Sequence, residues 1–230
     1  VIVGPYAVIE EKTEIGSGCR LDAFAQVKSH VRLGAGNHVH SHAIVGGLPQ
    51  DLKYKGEETW VVIGDRNVIR EFVTIHRAAT GDGSETRIGS GCLLMAYVHV
   101  AHDCVLGDGV IMSNAASLAG HVLVHDRAII GGMTGVHQFV RVGAHSFCGV
   151  GTVLLQDLPP YVTVAGNPAA PHGINAEGLR RRGFSPEAIA AIRRAYKLLY
   201  RSGLTLAEAR ERIAELAVEQ PELQPLIDFL

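Results

Sequence analysis

An aliphatic side chain returns at every sixth position through most of this chain, and that period restricts the possible folds more than any other feature. The series runs Val3, Ile9, Ile15, Leu21, Val27, Leu33, Val39, Val45, resumes as Ile63, Ile69, Ile75, and resumes again at Ile88 to continue unbroken to Leu154. Two residues ahead of these positions stands something small or β-branched, as in Thr86, Cys92, Val98, Cys104, Val110 and Ala116, with Asn37 a polar exception. A glycine often follows, as at Gly4, Gly16, Gly34, Gly46, Gly64, Gly89, Gly107, Gly131, Gly143 and Gly149. Six is the period of neither an amphipathic helix nor an alternating strand, so each unit must be a short flat strand closed by a sharp turn. Three such units make a triangular coil of about 18 residues whose aliphatic side chains stack inward on their copies. The expected fold is mainly β, a parallel β-helix, with the glycines supplying the strained turn conformation.

The repeat breaks at residues 47–60 and 77–85, where Pro, Gly and charge mark loops pushed out of the coil. It ends after Leu154, and from there the pattern turns helical. Ser185 with Pro186 is a helix start, followed by Ile189, Ile192, Tyr196 and Leu199 on one face and by Gly203 as a stop. Thr205 and Glu208 form a capping box for a second helix, and a third follows Pro221. The organisation expected is a β-helix over residues 1–168 and a small helical domain over 169–230, the helices capping an open coil end.

Composition narrows the function. With 47% hydrophobic and 19% charged residues in 230, the chain is globular and long enough for a sizeable core. The balance of 21 basic and 23 acidic residues, a net charge of -2, gives no reason to expect nucleic-acid binding. No apolar run approaches the roughly 18 to 20 residues that cross a bilayer, and no signal segment opens the chain. A soluble, cytoplasmic protein is expected, not an integral membrane protein. The first residue is Val1, so a trimmed N-terminus or a missing leader is also expected.

Cys19, Cys92 and Cys104 fall in the small inward register and Cys148 in the aliphatic one, which makes them wall residues and argues against an acyl-cysteine intermediate. None of the 12 histidines shares either register, so they project outward or into turns. His102, Gly120 and Gln138 are spaced by 18 and stack one coil above another, flanked by His121 and His137, and Asp103 lies 18 before His121. A carboxylate and several imidazoles on one ridge suit general-base chemistry. A zinc site built from His99, His102 and His121, as in a hexapeptide-repeat hydratase, competes with that reading, and so does a non-catalytic scaffold. Between 172 and 202 seven basic residues face two acidic ones, and Arg193, Lys197 and Arg201 recur every fourth residue beside Arg194, a basic stripe suited to an acidic partner.

Longer motifs are more specific than the repeat: QDLKYKGE at 50–57, IGDRNVIRE at 63–71, TIHR at 74–77, HVAHDC at 99–104, LAGH at 118–121, IIGGMTGVHQF at 129–139 and N-x-EGLRRRGF at 175–184. With these, nearly all of the chain resembles the UDP-N-acetylglucosamine acyltransferases of lipid A synthesis, which usually begin about one coil earlier. The resemblance implies a left-handed parallel β-helix, a homotrimer, and transfer of an (R)-3-hydroxyacyl chain from acyl carrier protein to the sugar 3-hydroxyl of UDP-N-acetylglucosamine. It implies no cofactor beyond the phosphopantetheine on which the carrier delivers the acyl group, and no metal. His102 matches the general base, Asp103 its orienting carboxylate and Gly120 the backbone N–H facing the oxyanion. Lys53, His76, His99, His121, His137 and Gln138 match substrate-positioning residues, and Asn175, Glu177, Arg181 and Arg182 match the nucleotide end. Gly149 and Val150 match the family's acyl groove, where an isopropyl group in place of a second glycine leads to the expectation of a shorter chain. Pro168 replaces a histidine frequent in the family. A 3-amino sugar nucleotide would serve the same chemistry and stays open as acceptor.

Overall fold

The structure is a computed structural model and describes residues 1–81 and 83–230. Its strands form three sheets of ten, eight and seven strands, parallel throughout except for the last strand of the ten-stranded one. Strands of adjacent coils pair at an offset of 18, as in His99 with Ser117 and Leu118 with Val136. Where the first loop intervenes the offset widens to 30, His38 facing Val68, and the second loop makes it 25, Val68 facing Leu93. The coil thus absorbs both interruptions without losing register, so that Ile69, Ile75, Leu94, Val100 and Leu106 remain stacked and buried. Only the first coil lacks a layer beneath it, and Val3 and Ile9 are exposed.

The glycines that follow the aliphatic positions work differently from expectation. Of that set only Gly46 has a positive φ, 87°. Coil spacing explains the others: a Cβ on Gly16 would lie 2.5 Å from the carbonyl carbon of Gly34 in the next coil. The left-handed conformation falls further along the turn, on Gly18 and Gly36 but also on Asp103, His121 and Phe139, at φ of 59°, 61° and 65°. Inside the prism the polar exception is a pair. Asn37 Nδ2 donates to the Gly34 and Gly64 carbonyls at 2.8 Å, and Asn67 Nδ2 donates to Asn37 Oδ1 at 3.0 Å, so both buried amides are satisfied. All four cysteines are buried and free, and burial pushes the Cys104 and Cys148 thiols up to about 12.

After the last regular coil the strand Val162–Ala165 pairs parallel to Phe147–Cys148 and antiparallel to Ala170–Ile174. This hairpin carries the sheet across residue 168. An antiparallel return has no six-residue repeat, so the periodicity stops before the strands do. Four helices follow: α1 (Ala176–Arg181), α2 (Pro186–Tyr200), α3 (Leu206–Ala217) and α4 (Gln224–Phe229). Ser185 caps α2 by accepting from the Ala188 N–H, and the Thr205–Glu208 box caps α3. Leu179, Ile192, Ile213 and Leu226 form a second core. Tyr161 joins that core to the end of the coils and donates its hydroxyl to the Glu222 carbonyl at 2.6 Å. Among the described residues no helix is long and apolar enough to cross a membrane.

Candidate active site

Strands His99–Val100 and Ser117–Leu118 of the eight-stranded sheet each end in a turn toward the seven-stranded one, and these turns carry His102–Asp103 and Gly120–His121. The His121 N–H donates to the His102 carbonyl at 3.0 Å and the Phe139 N–H to that of Gly120 at 3.2 Å, locking the corners in register. The flat coil therefore places His102 over Asp103 on one side and against Gly120 on the other. His121 packs edge-on to His102, ring centroids 5.3 Å apart, and stacks on Phe139 at 4.7 Å.

His102 Nδ1 lies 2.8 Å from Asp103 Oδ2. The side chain of Asp103 is only 8% exposed. Oδ2 also accepts the Ala79 N–H at 3.0 Å, and Oδ1 accepts the Thr80 hydroxyl at 2.5 Å. Burial by itself would raise this carboxyl, but the hydrogen bonds from Thr80, His102 and Ala79 outweigh it and hold the group below its ordinary range. A carboxylate at Nδ1 selects the tautomer with its proton there, which leaves Nε2 with a free lone pair. Ala79 and Thr80 were not found by sequence reasoning. They sit in the loop after Thr74–His76, one coil below the site, and nothing in RAAT marks those two residues.

His102 and Gly120 line a groove of about 530 Å³ on the outward face of the eight-stranded sheet, together with His99, Ser117, His137 and Leu155. Gln50 of the first loop closes one side. His99 Nδ1 is 2.8 Å from the Thr74 hydroxyl. Burial lowers the His99 imidazole, with help from His102. His76, edge-on to His99 at 4.9 Å, is lowered further, to about 4, by burial and by the charges of His99 and His102. These rings are neutral near pH 7.

The other expected residues are spread over the molecule. Gln138 and Lys53 are exposed and outside the groove lining. Gly149 and Val150 lie at the corner between the ten- and eight-stranded sheets, Val150 at 69% exposure. Asn175 caps α1, accepting the Gly178 N–H at 3.1 Å and donating to the His145 carbonyl at 3.0 Å. Glu177 pairs with Arg180 and, at 2.9 Å, with Arg181. Arg182 lies 3.4 Å from His145 Nδ1. His145 is in the turn between the seven- and ten-stranded sheets, so this cluster occupies a different corner from His102. Arg194, Lys197 and Arg201 line a second groove with Leu198, Leu204 and Arg212, while exposed Arg193 stands outside it. His102, Asp103 and His121 bring three potential metal donors within 4.8 Å of one another, a set that includes Asp103 and not His99.

An imidazole held by a carboxylate, beside a glycine on stacked six-residue units, defines a hexapeptide-repeat protein with a His–Asp pair on its outer face. Residues 85–120 match the bacterial transferase hexapeptide profile, and 157–230 match the second domain of UDP-N-acetylglucosamine O-acyltransferase. A relative from Thiobacillus denitrificans, named as the O-acyltransferase acting between acyl-acyl carrier protein and UDP-N-acetylglucosamine, is 53% identical over 230 residues, covering 100% of this chain and 89% of its own. One of the same name from Burkholderia lata is 54% identical over 202 residues, covering 86% and 77%. The crystal structure of UDP-N-acetylglucosamine O-acyltransferase from Moraxella catarrhalis superposes with a TM-score of 0.96 at 42% identity, over 99% of this chain and 88% of that one. The Arabidopsis UDP-N-acetylglucosamine acyltransferase gives 0.83 at 33%, over 99% and 93%. The chain belongs to the UDP-N-acetylglucosamine O-acyltransferase family, and its fold is a left-handed parallel β-helix followed by a small helical segment.

Proposed function

We propose that this chain transfers an (R)-3-hydroxyacyl group from acyl carrier protein to the 3-hydroxyl of UDP-N-acetylglucosamine, the first step of lipid A biosynthesis, in the cytoplasm. The observation that carries the reading is the 2.8 Å contact of His102 Nδ1 with Asp103, inside a groove bordered by Gly120. A sugar hydroxyl is a weak nucleophile. Nε2 of His102 takes its proton as the oxygen attacks the thioester carbonyl, and Asp103 stabilises the imidazolium that forms. The Gly120 N–H, which makes no backbone hydrogen bond among the described residues, is placed to face the oxyanion. Collapse forms the ester and breaks the C–S bond, and the pantetheine thiolate leaves with the proton from His102. Four buried cysteines with no exposed thiol agree with direct transfer and no acyl-enzyme.

A homotrimer fits the distribution of side chains. The 175–182 cluster and His102 occupy different corners of one chain, and an adjoining protomer can bring the first against the second. There Arg181 and Arg182 would take the diphosphate through paired donors, and Val150 would limit acyl length. The basic groove of α2 and α3 is assigned to the acidic carrier protein.

The test is turnover with UDP-N-acetylglucosamine and a panel of acyl carrier protein thioesters, with products identified by mass spectrometry. His102→Ala should lower kcat by about 10² to 10⁴ with little loss of stability. Normal turnover by that variant rejects the assignment.

A further inference from the structure

We propose that Asp22, His38, His40 and Glu71 form a site for a divalent transition-metal ion of the zinc class, on the outward face of the ten-stranded sheet and away from the catalytic groove. His38 and His40 alternate on one strand and its exit, so both rings emerge on the same side and stack at 3.8 Å. Asp22 stands one coil below His40, and Glu71 follows Arg70 one coil above. Asp22 Oδ2 lies 2.8 Å from His38 Nε2 and 3.4 Å from His40 Nδ1, and Glu71 Oε1 lies 3.7 Å from His40 Nδ1. The first three donor atoms all fall within 4.8 Å of one another. Tetrahedral zinc with bonds near 2.0 to 2.1 Å sets its donors roughly 3.3 Å apart, in the middle of this range.

Two further features favour an ion over a proton as the shared partner. His40 Nδ1 is turned between two carboxylate oxygens yet is too far from either for a good hydrogen bond, a spacing that suits a common central cation. Both carboxylates are also held from behind. Arg20 Nε donates to Asp22 Oδ1 at 2.7 Å, and Arg70 donates to Glu71 Oε2 at 2.9 Å and, more weakly, to Oε1 at 3.2 Å. That is the arrangement of outer groups that orient a ligand's metal-facing oxygen. Two imidazoles and two carboxylates suit zinc and similar ions better than calcium or magnesium. None of the four lines the catalytic groove, and an ion there would clip three successive coils together.

The experiment strips the purified protein with a chelator and titrates it with Zn²⁺ against a chromophoric competitor, with Co²⁺ absorption as a second readout. Wild type should take up one equivalent that the His38→Gln/His40→Gln double variant lacks. A Zn²⁺-dependent rise in Tm should accompany that equivalent and vanish with it, while turnover by the double variant stays at the wild-type level. His121→Gln, which disrupts the other histidine cluster, should retain the equivalent. Asp22→Asn preserves side-chain shape and should weaken uptake by about tenfold or more, a check that remains informative if the double variant folds poorly. Equal uptake by wild type and the double variant, no uptake by wild type, or unchanged affinity in Asp22→Asn would overturn the proposal.

Discussion

The ring of His102 occupies the space that a side chain on Gly120 would need: a Cβ built there would meet His102 Cε1 at 2.5 Å and Nε2 at 2.7 Å. Alanine at this position leaves the backbone and Asp103 in place and displaces the His102 imidazole, the group proposed to take the proton. Gly120→Ala should therefore lower kcat by about 10² while changing Tm little, since displacement of about 1 Å in a reacting group is costly and the site is open to solvent on one side. Steady-state kinetics beside a thermal melt would check this, and an unchanged kcat would remove Gly120 from the catalytic geometry.

The sequence and the structure agree best where chemistry follows the repeat. Spacing by 18 alone places His102, Gly120 and Gln138 in a column and Asp103 beneath His121, because a flat coil converts sequence distance directly into position. Residues outside the repeat have no such ruler. Ala79 and Thr80 reach Asp103 from a loop whose path depends on its own packing, so their hydrogen bonds could not be read in advance. The glycines illustrate the opposite failure. Their period was plain, but close approach and positive φ both select glycine, and only coordinates separate the two causes.

Thr80 supplies the shortest hydrogen bond to the acid, 2.5 Å to Asp103 Oδ1. It is a positioning residue, acting on His102 through the carboxylate. Thr80→Val should reduce kcat by up to about tenfold, within the worth of one hydrogen bond to a charged group, and should raise the Asp103 carboxyl toward its ordinary value. Thr80→Ser should restore both. Asp103→Asn removes the charge that selects the useful tautomer and should cost about 10² to 10⁴ in kcat. The height of the kcat plateau distinguishes the two effects, since Thr80→Val leaves it within about tenfold of wild type and Thr80→Ser restores it, whereas Asp103→Asn lowers it by the larger factor.

Acid should weaken the fold in a defined window. Burial depresses His76, helped by His99 and His102, and depresses His145, helped by Arg182 and Arg127, each to about 4. The unfolded chain protonates these rings near 6.5, so the stability they carry is complete above that pH and is lost as pH falls toward 4. Each contributes roughly 1 to 2 kcal/mol after allowance for the water that reaches the rings. Asp103 acts lower still, its share being present above 3.8 and lost as pH falls through its depressed folded value. Urea midpoints should decline between pH 6.5 and 4, and His145→Gln should flatten the slope. A flat wild-type profile over that window would contradict the buried-neutral state of both rings.

Val150 presents an isopropyl group at a corner where the chain beside it, Gly149, has none. If it limits the acyl groove, Val150→Gly should move the preference toward longer hydroxyacyl chains, by about tenfold in relative kcat/KM for an increment of two methylenes. Competition between thioesters of different length in one reaction, resolved by product mass, measures that ratio directly. An identical product distribution from both enzymes would place the length limit elsewhere.

The cations on α2 form no ion pair among the described residues, unlike Glu177 with Arg180 and Arg181 on α1. Unpaired charge at a helix surface is repelled by its neighbours, so Arg193, Arg194, Lys197 and Arg201 leave an attractive field toward an acidic partner, while Arg212 across the groove is paired with Glu215 at 3.5 Å. Reversing Arg193, Lys197 and Arg201 to glutamate should raise KM for the acyl carrier protein substrate by about tenfold or more at low salt, leaving kcat and KM for the sugar nucleotide unchanged. The gap between variant and wild type should close as ionic strength rises and the Debye length shrinks below about 8 Å. Reversed charge with an unaltered, salt-independent KM would mean that the carrier docks on another surface.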